Sequence, residues 1–185
     1  MDFSNFIGHL KTNLYYRFMM GSIELDALII KPLKIDNPKS ISIGKSSYVG
    51  YYGWLMGGKE KGVISLEIGN NVQIGHFSHI VAMKNVIIED EVLVADKVFI
   101  SDCMHEYKNI NLPAKNQGIR IVKKVIIGEG SWLGENVCVC GASIGKHCVI
   151  GANSVVTTDI PDYSVAVGSP AKVVKQFDFG EGIWK

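Results

Sequence analysis

An aliphatic residue returns every six positions through most of this sequence, and few folds accommodate that period. In the stretch "IGEGSWLGENVCV", Ile127 is followed by Leu133 and then by Val139. Fifteen residues, in five groups of three, share the spacing: Ile43, Val49, Leu55, Ile68, Ile74, Ile80, Ile88, Val94, Ile100, Ile127, Leu133, Val139, Ile144, Ile150 and Val156. A helix with 3.6 residues per turn cannot place them on one face, whereas short β-segments joined by tight turns can.

The grouping in threes predicts a triangular parallel β-helix, in which three hexads make one circuit around an aliphatic interior. The position after the aliphatic residue is often glycine, as at Gly44, Gly50, Gly69, Gly75, Gly128, Gly134, Gly145 and Gly151. The position two before it is small or β-branched, as at Val72, Ser78, Val86, Val92, Val98, Val125, Ser131, Val137, Ala142, Cys148 and Ser154. We expect the glycines to adopt turn conformations that other residues resist.

Three irregularities interrupt the repeat. Residues 56–65 form a short glycine-rich segment, residues 102–121 form a longer polar one, and one residue is missing between Val139 and Ile144. The missing residue should tighten a single corner. Long loops in a compact repeat are the expected carriers of function, and His105 lies on the longest of them.

We therefore divide the chain into an N-terminal segment over 1–40, a β-helix over 41–160 and a C-terminal tail over 161–185. The first segment contains "LIIKPLKI" (28–35), which we expect to add a partial coil. Apolar residues also recur there three and four positions apart: Phe3, Phe6, Ile7, Leu10, Leu14 and Phe18. This spacing predicts an amphipathic helix that packs on the protein itself, with a membrane surface as the alternative. Charged residues interrupt it too often for stable membrane insertion.

The composition indicates one soluble domain. The chain has 185 residues, of which 47% are hydrophobic and 20% charged, and its net charge is +1. This balance gives no electrostatic indication of a nucleic-acid partner. The four cysteines, Cys103, Cys138, Cys140 and Cys148, lack the paired spacing of a zinc site. We interpret them as reduced thiols of a cytoplasmic protein.

Several motifs carry a resemblance to a known family. The loop "ISDCMHEY", followed by "VIIGEGSWLGENV", "VIGANSVVTTDIP" and "AVGSPAKVVK", resembles the hexapeptide-repeat acyltransferases over roughly residues 41–175. The loop is most similar to the sugar O-acetyltransferase branch, which includes galactoside, maltose, nodulation-factor, capsule and O-antigen acetyltransferases. The resemblance implies an all-β, left-handed parallel β-helix with a short N-terminal helix, one protruding active-site loop and a C-terminal tail. It also implies acetyl-CoA as donor and a homotrimer with active sites between chains.

The resemblance places His105 at the family's catalytic histidine. An imidazole titrates near neutral pH, so it can remove a proton from an acceptor hydroxyl that attacks a thioester. Asp102, or a backbone carbonyl, could hold the other ring nitrogen. Many relatives have a second histidine where this chain has Cys103.

Four residues are candidates for contact with the acceptor. Tyr107 and Gln117 match family positions that line the acceptor site, although each could simply pack or solvate the loop. Trp132 and His79 each precede an inward aliphatic residue, so strand alternation points them outward. The resemblance puts Trp132 beside the active centre, and His79 could border the acceptor pocket of a neighbouring chain.

The resemblance also implies a binding groove for coenzyme A along the later coils. Its small side chains would border the pantetheine arm, and its lysines would meet the phosphates. The matching positions are Gly134, Ala152, Thr157, Thr158, Lys172 and Lys175. Thr158 departs from several relatives, which have lysine there.

The function that follows is transfer of acetyl from acetyl-CoA to a sugar hydroxyl, without a metal, in surface polysaccharide biosynthesis. Three alternatives remain open at this point. One is N-acetylation of a nucleotide-linked amino sugar. The second is a metalloenzyme of the γ-carbonic-anhydrase type, for which His79 and His105 could supply two ligands but no third histidine has suitable spacing. The last is a non-catalytic β-helix scaffold.

Overall fold

A computed structural model describes residues 14–185 of the chain. Residues 14–19 are helical, and Met20 directly after them is buried. Most of the predicted amphipathic helix lies outside the described residues. Leu14 and Phe18, which lie within them, are exposed. Between residues 14 and 185, no helix has the length and apolarity needed to cross a bilayer.

The rest of the described chain is built from short strands. In chain order they are β1 (Ser22–Ile23), β2 (Leu28–Ile29), β3 (Lys34–Asp36), β4 (Ile41–Ile43), β5 (Tyr48–Val49), β6 (Trp54–Met56), β7 (Leu66–Ile68), β8 (Gln73–Ile74), β9 (His79–Val81), β10 (Val86–Ile88), β11 (Leu93–Val94), β12 (Phe99–Ser101), β13 (Cys103–His105), β14 (Ile119–Ile121), β15 (Val125–Ile127), β16 (Trp132–Leu133), β17 (Cys138–Cys140), β18 (Val149–Ile150), β19 (Val155–Val156), β20 (Ser164–Gly168), β21 (Ala171–Asp178) and β22 (Ile183–Trp184). Two 3-10 turns cover Pro38–Ser40 and Ala114–Asn116.

The strands stack into the three parallel faces of a prism. Face A consists of β1, β4, β7, β10 and β15, and face C consists of β3, β6, β9, β12, β17 and β19. Face B runs through β2, β5, β8, β11, β16, β18 and β20, and β21 and β22 extend it in antiparallel fashion. This arrangement confirms the predicted triangular coil.

The aliphatic residues of the repeat form the interior column. All fifteen have at most 1% of their surface exposed. On face A, for example, Ile43, Ile68, Ile88 and Ile127 are neighbours in register. Each circuit therefore buries its aliphatic side chains against the circuits above and below, and this burial supplies the main driving force for folding.

The coils extend beyond the expected boundaries at both ends. Ile23, Ile29 and Ile35 make a complete first circuit before residue 41, where only a partial one was expected. At the other end, Ile160 and Ala166 continue the buried column on faces A and B. The C-terminal segment is therefore a β-ribbon on face B rather than a separate tail.

The glycines serve a purpose different from the one we expected. None of the glycines after the aliphatic positions has a positive φ. Positive φ occurs instead two residues later, at residues such as Asn71, Glu91 and Lys97. The glycines are required by space: a Cβ on Gly128 would lie 2.5 Å from the carbonyl carbon of Gly145 in the next coil. The expectation of special glycine conformations at these positions is therefore wrong.

All three irregularities of the repeat leave from one edge of the prism. From β1 to β19, every connection at the A–B and B–C edges spans four residues. The segments 57–65, 102–124 and 141–143 all follow a strand of face C and lead to face A. The shortened corner contains Gly141, whose φ is +60° and whose Cβ would meet the Val122 side chain.

Substitution of a spacing glycine tests its role. We expect Gly128→Ala to lower the free energy of unfolding by about 3 kcal/mol, because the added methyl overlaps backbone that cannot rotate away. Gly62→Ala is the control, since Gly62 has a φ of +77° but nothing within 4 Å of its Cβ. It should cost only about 1 kcal/mol of conformational strain. Equal losses in urea denaturation would show that spacing is not the reason.

Candidate active site

His105 lies on a two-stranded arm rather than on an irregular loop. After β12 the chain leaves the prism, and β13 pairs antiparallel with β14, with His105 opposite Ile119. The His105 side chain is exposed, and its ring has no hydrogen-bond partner among residues 14–185. Backbone pairing therefore fixes the position of the imidazole while leaving both nitrogens available.

Asp102 fastens the base of this arm to the preceding coil. Its carboxylate is fully buried and accepts three backbone N–H bonds, from Met83 at 2.9 Å, Lys84 at 2.7 Å and Asn85 at 2.8 Å. Its own carbonyl accepts the N–H of Val122 at 2.8 Å, where the chain returns. No hydrogen bond joins Asp102 to His105 in the part of the chain that the structure describes. Its carboxylate thus contacts the 82–85 connection and not the imidazole.

A pocket of about 430 Å³ lies between the arm and face C. It brings together His105 and His79, which come from widely separated parts of the sequence. Its lining comprises Met56, His79, Val81, Phe99, Ser101, Cys103, Met104, His105, Ile119 and Cys140. Of the predicted site residues, only these two histidines share the pocket.

His79 belongs to an aromatic ladder on face C. Its ring stacks on Trp54 with centroids 4.2 Å apart and a 12° angle between planes, and it also contacts Phe99 at 5.4 Å. Its Nε2 atom is buried without a hydrogen-bond partner among the described residues. Burial lowers the pKa of His79, and the Asp36 carboxylate only partly offsets this. His79 is therefore a neutral imidazole at neutral pH.

Tyr107 and Gln117 lie on the arm outside the pocket. The Gln117 amide donates to the carbonyls of Asn109 at 2.8 Å and Leu112 at 2.7 Å, and it accepts the Asn109 N–H at 3.0 Å. It therefore braces the tip of the arm. The Tyr107 side chain is 62% exposed.

The residues matched to a coenzyme groove divide between two edges. Gly134 and Ala152 are in contact at the B–C edge, where a Cβ on Gly134 would lie 2.7 Å from the Ala152 nitrogen. Thr157 and Thr158 follow β19 at the C–A edge, the same edge as the arm, and both are exposed.

The remaining candidates lie on face B. Trp132 is 49% exposed there and is not near the pocket within one chain. Lys172 pairs with Val167 and Lys175 with Val165 on the terminal ribbon. Both lysines are exposed, and neither forms an ion pair with a residue in the range 14–185.

Sequence reasoning missed the aromatic ladder and the apolar wall of the pocket. Trp54, His79 and Phe99 each directly precede an inward aliphatic residue on face C. That shared position in the repeat could have identified them as neighbours. Met104 and Ile119 had no such signal, because they lie on the arm, where the repeat is absent. Among residues 14–185, no three potential metal ligands cluster.

Comparisons with known proteins agree with this architecture. The family model "Hexapeptide repeat of succinyl-transferase" matches residues 124–158. The chain is 35% identical to WbbJ of Escherichia coli K12, named as an O-acetyl transferase of lipopolysaccharide biosynthesis, over 95% of this chain and 88% of that protein. It is 46% identical to Rv3034c of Mycobacterium tuberculosis, named as an acetyltransferase, over 60% of this chain but only 37% of that protein.

Solved structures share the fold. A galactoside acetyltransferase in complex with coenzyme A has a TM-score of 0.63 and 26% identity, over 92% of this chain and 72% of that one. AntD, an N-acyltransferase from Bacillus cereus in complex with dTDP and coenzyme A, has a TM-score of 0.77 and 19% identity, over 91% and 90%. The fold is thus the left-handed parallel β-helix. Taken with the relationship to WbbJ along almost its whole length, this shows that the chain belongs to the hexapeptide-repeat acetyltransferases.

Proposed function

We propose that this protein transfers an acetyl group from acetyl-CoA to a hydroxyl of a saccharide in surface polysaccharide biosynthesis. The observation that carries the proposal is the placement of His105, which has both ring nitrogens free, on a fastened arm beside a pocket. The similarity to WbbJ over nearly the whole chain supports a saccharide acceptor and O-acylation.

In the proposed reaction His105 acts as general base. It takes the proton of the acceptor hydroxyl as the oxygen forms a bond to the thioester carbonyl carbon. The carbon–sulfur bond then breaks, and the departing thiolate receives the proton from the imidazolium. His79 is neutral and has a free Nε2, so it can form a hydrogen bond to the reacting groups without competing for the proton.

The assembly we propose is a homotrimer in the cytoplasm, where acetyl-CoA is made. In this arrangement Trp132 of one copy would approach the arm of the next, because the two lie on different faces of one chain. Gly134, Ala152, Thr157 and Thr158 would border the pantetheine, and the exposed Lys172 and Lys175 would meet the phosphates.

N-acylation of a nucleotide-linked amino sugar is the second candidate. It is favoured by the TM-score of 0.77 to AntD bound to dTDP, although 19% identity supports the fold alone. The two functions differ in the acceptor, so a panel containing plain sugars, polysaccharide repeat units and nucleotide-linked amino sugars distinguishes them. A product resistant to mild alkali would indicate an amide.

Removal of the base tests the chemical step. We expect His105→Ala to lower kcat about 10²- to 10⁴-fold on the best acceptor of that panel, because no other side chain can take the proton. Coenzyme A affinity, measured by calorimetry, should not change. His147→Ala is the control, since His147 is exposed on a distant coil and stacks only on Tyr163. Full activity of His105→Ala would remove this residue from the mechanism.

The anchoring of the arm gives a separate prediction. Asp102→Ala leaves three backbone N–H groups without their carboxylate, so we expect a stability loss of about 2–3 kcal/mol and a lower kcat. Asp96→Ala is the matched control, because the Asp96 carboxylate also accepts a backbone N–H, from His76 at 2.7 Å, but away from the arm. It should lower the melting temperature and leave kcat unchanged. If both variants affect kcat equally, Asp102 has no positioning role.

The lowered pKa of His79 predicts a pH dependence of stability. In the unfolded chain the residue gains a proton as the pH falls through its ordinary value of about 6.5, whereas in the folded protein it stays neutral. The free energy of unfolding should therefore decrease on going from about pH 7.5 to about pH 5.5. His79→Gln should remove this part of the decrease while the carboxylates contribute equally in both proteins. Identical pH profiles in urea denaturation would contradict the prediction.

A further inference from the structure

The pocket beside His105 is walled almost entirely by apolar side chains. Met56, Val81 and Phe99 come from face C, and Met104 and Ile119 come from the arm. The rest of the wall consists of two thiols, one hydroxyl and the two histidines. A site meant to enclose a sugar ring needs several convergent hydrogen-bonding groups.

The few polar groups of the wall are largely occupied. The Ser101 hydroxyl donates to the Cys103 carbonyl at 2.8 Å and accepts the Cys103 N–H at 3.1 Å. Burial raises the pKa of the Cys103 and Cys140 thiols, so both remain protonated and weakly polar at neutral pH. Only His79 and His105 are left to bond with an occupant.

This imbalance decides the chemistry of the occupant. A sugar ring would lose the hydration of several hydroxyl groups here and regain few bonds, at a cost for each unmatched group. An alkyl chain loses nothing and gains contact with five apolar side chains. Acetyl extends only one methyl group beyond the reacting carbonyl, which is far too small to fill about 430 Å³.

We propose that this pocket binds the acyl chain of the donor, and that it accepts butyryl- and hexanoyl-CoA in addition to acetyl-CoA. The inference rests on the proposed function, because His105 must lie next to the thioester carbonyl from which the chain extends. The acceptor oxygen still bonds to that carbon and the carbon–sulfur bond still breaks, so the whole chain is transferred. The sugar then approaches from the open side of the arm.

Calorimetry with the full-length protein tests this without an acceptor. Coenzyme A, acetyl-CoA, butyryl-CoA and hexanoyl-CoA are titrated in turn. Each methylene that enters an apolar pocket strengthens binding about fourfold, so butyryl-CoA should bind about tenfold more tightly than acetyl-CoA. Equal affinities for acetyl-CoA and butyryl-CoA would overturn the inference. Failure of all four to bind would instead contradict the proposed function.

Two cysteines on β17 provide a matched pair of variants. Cys140→Leu places two extra carbons in the pocket and should bring the ratio of butyryl-CoA to acetyl-CoA affinity close to one. Cys138→Leu makes the same change on the same side of the same strand, but Cys138 does not line the pocket. Its ratio should match that of the wild type. A similar drop in both variants would show that the pocket is not responsible.

A third variant changes the opposite wall, where folding is not at risk. Ile119 is 51% exposed on the arm, so Ile119→Ala should leave the prism intact. The wider pocket should shift the preference toward hexanoyl-CoA by about fourfold relative to butyryl-CoA. A preference that does not change in Ile119→Ala would count against the acyl-chain pocket even if Cys140→Leu behaved as expected.

Discussion

The close approach of successive coils is the constraint on which the rest of this structure depends. Each circuit buries three aliphatic side chains against its neighbours, and that burial requires the backbones at the corners to pass almost in contact. Gly128 shows how little room is available, because even a methyl group would overlap the next coil. The period of six is therefore kept strictly wherever two corners meet, and the sequence is free only where they do not.

The arm that carries His105 depends on this rigidity. Asp102 fastens it to the 82–85 connection through three backbone N–H groups, so the catalytic candidate is held by main-chain geometry rather than by side-chain packing. The same arrangement creates the pocket, because the arm bends over face C and leaves a space between them. The position of the base and the shape of the space beside it are therefore set by one anchor.

The periodic part of the fold could be predicted from the sequence, and the exceptions have physical reasons. The inward residues Ile43 to Val156 were identified correctly because burial acts on every sixth side chain in the same way. The role of the glycines was misjudged, since a repeat reveals that a position must be small without revealing whether space or conformation requires it. Asp102 was expected beside the imidazole, but hydrogen bonds to the backbone of another coil leave no trace in the sequence. His79 and His105 were both selected, yet their meeting depends on how the arm folds back, which no period encodes.

The uneven treatment of the three edges has a consequence for how such a chain can change. Connections at two edges are uniformly four residues long, whereas those at the C–A edge range from the shortened corner at 141–143 to the segment that contains the arm. Inserted residues there leave the prism and re-enter it without disturbing the register of the strands above or below. That edge is an attachment site where new binding elements can be exchanged while the column beneath them stays the same.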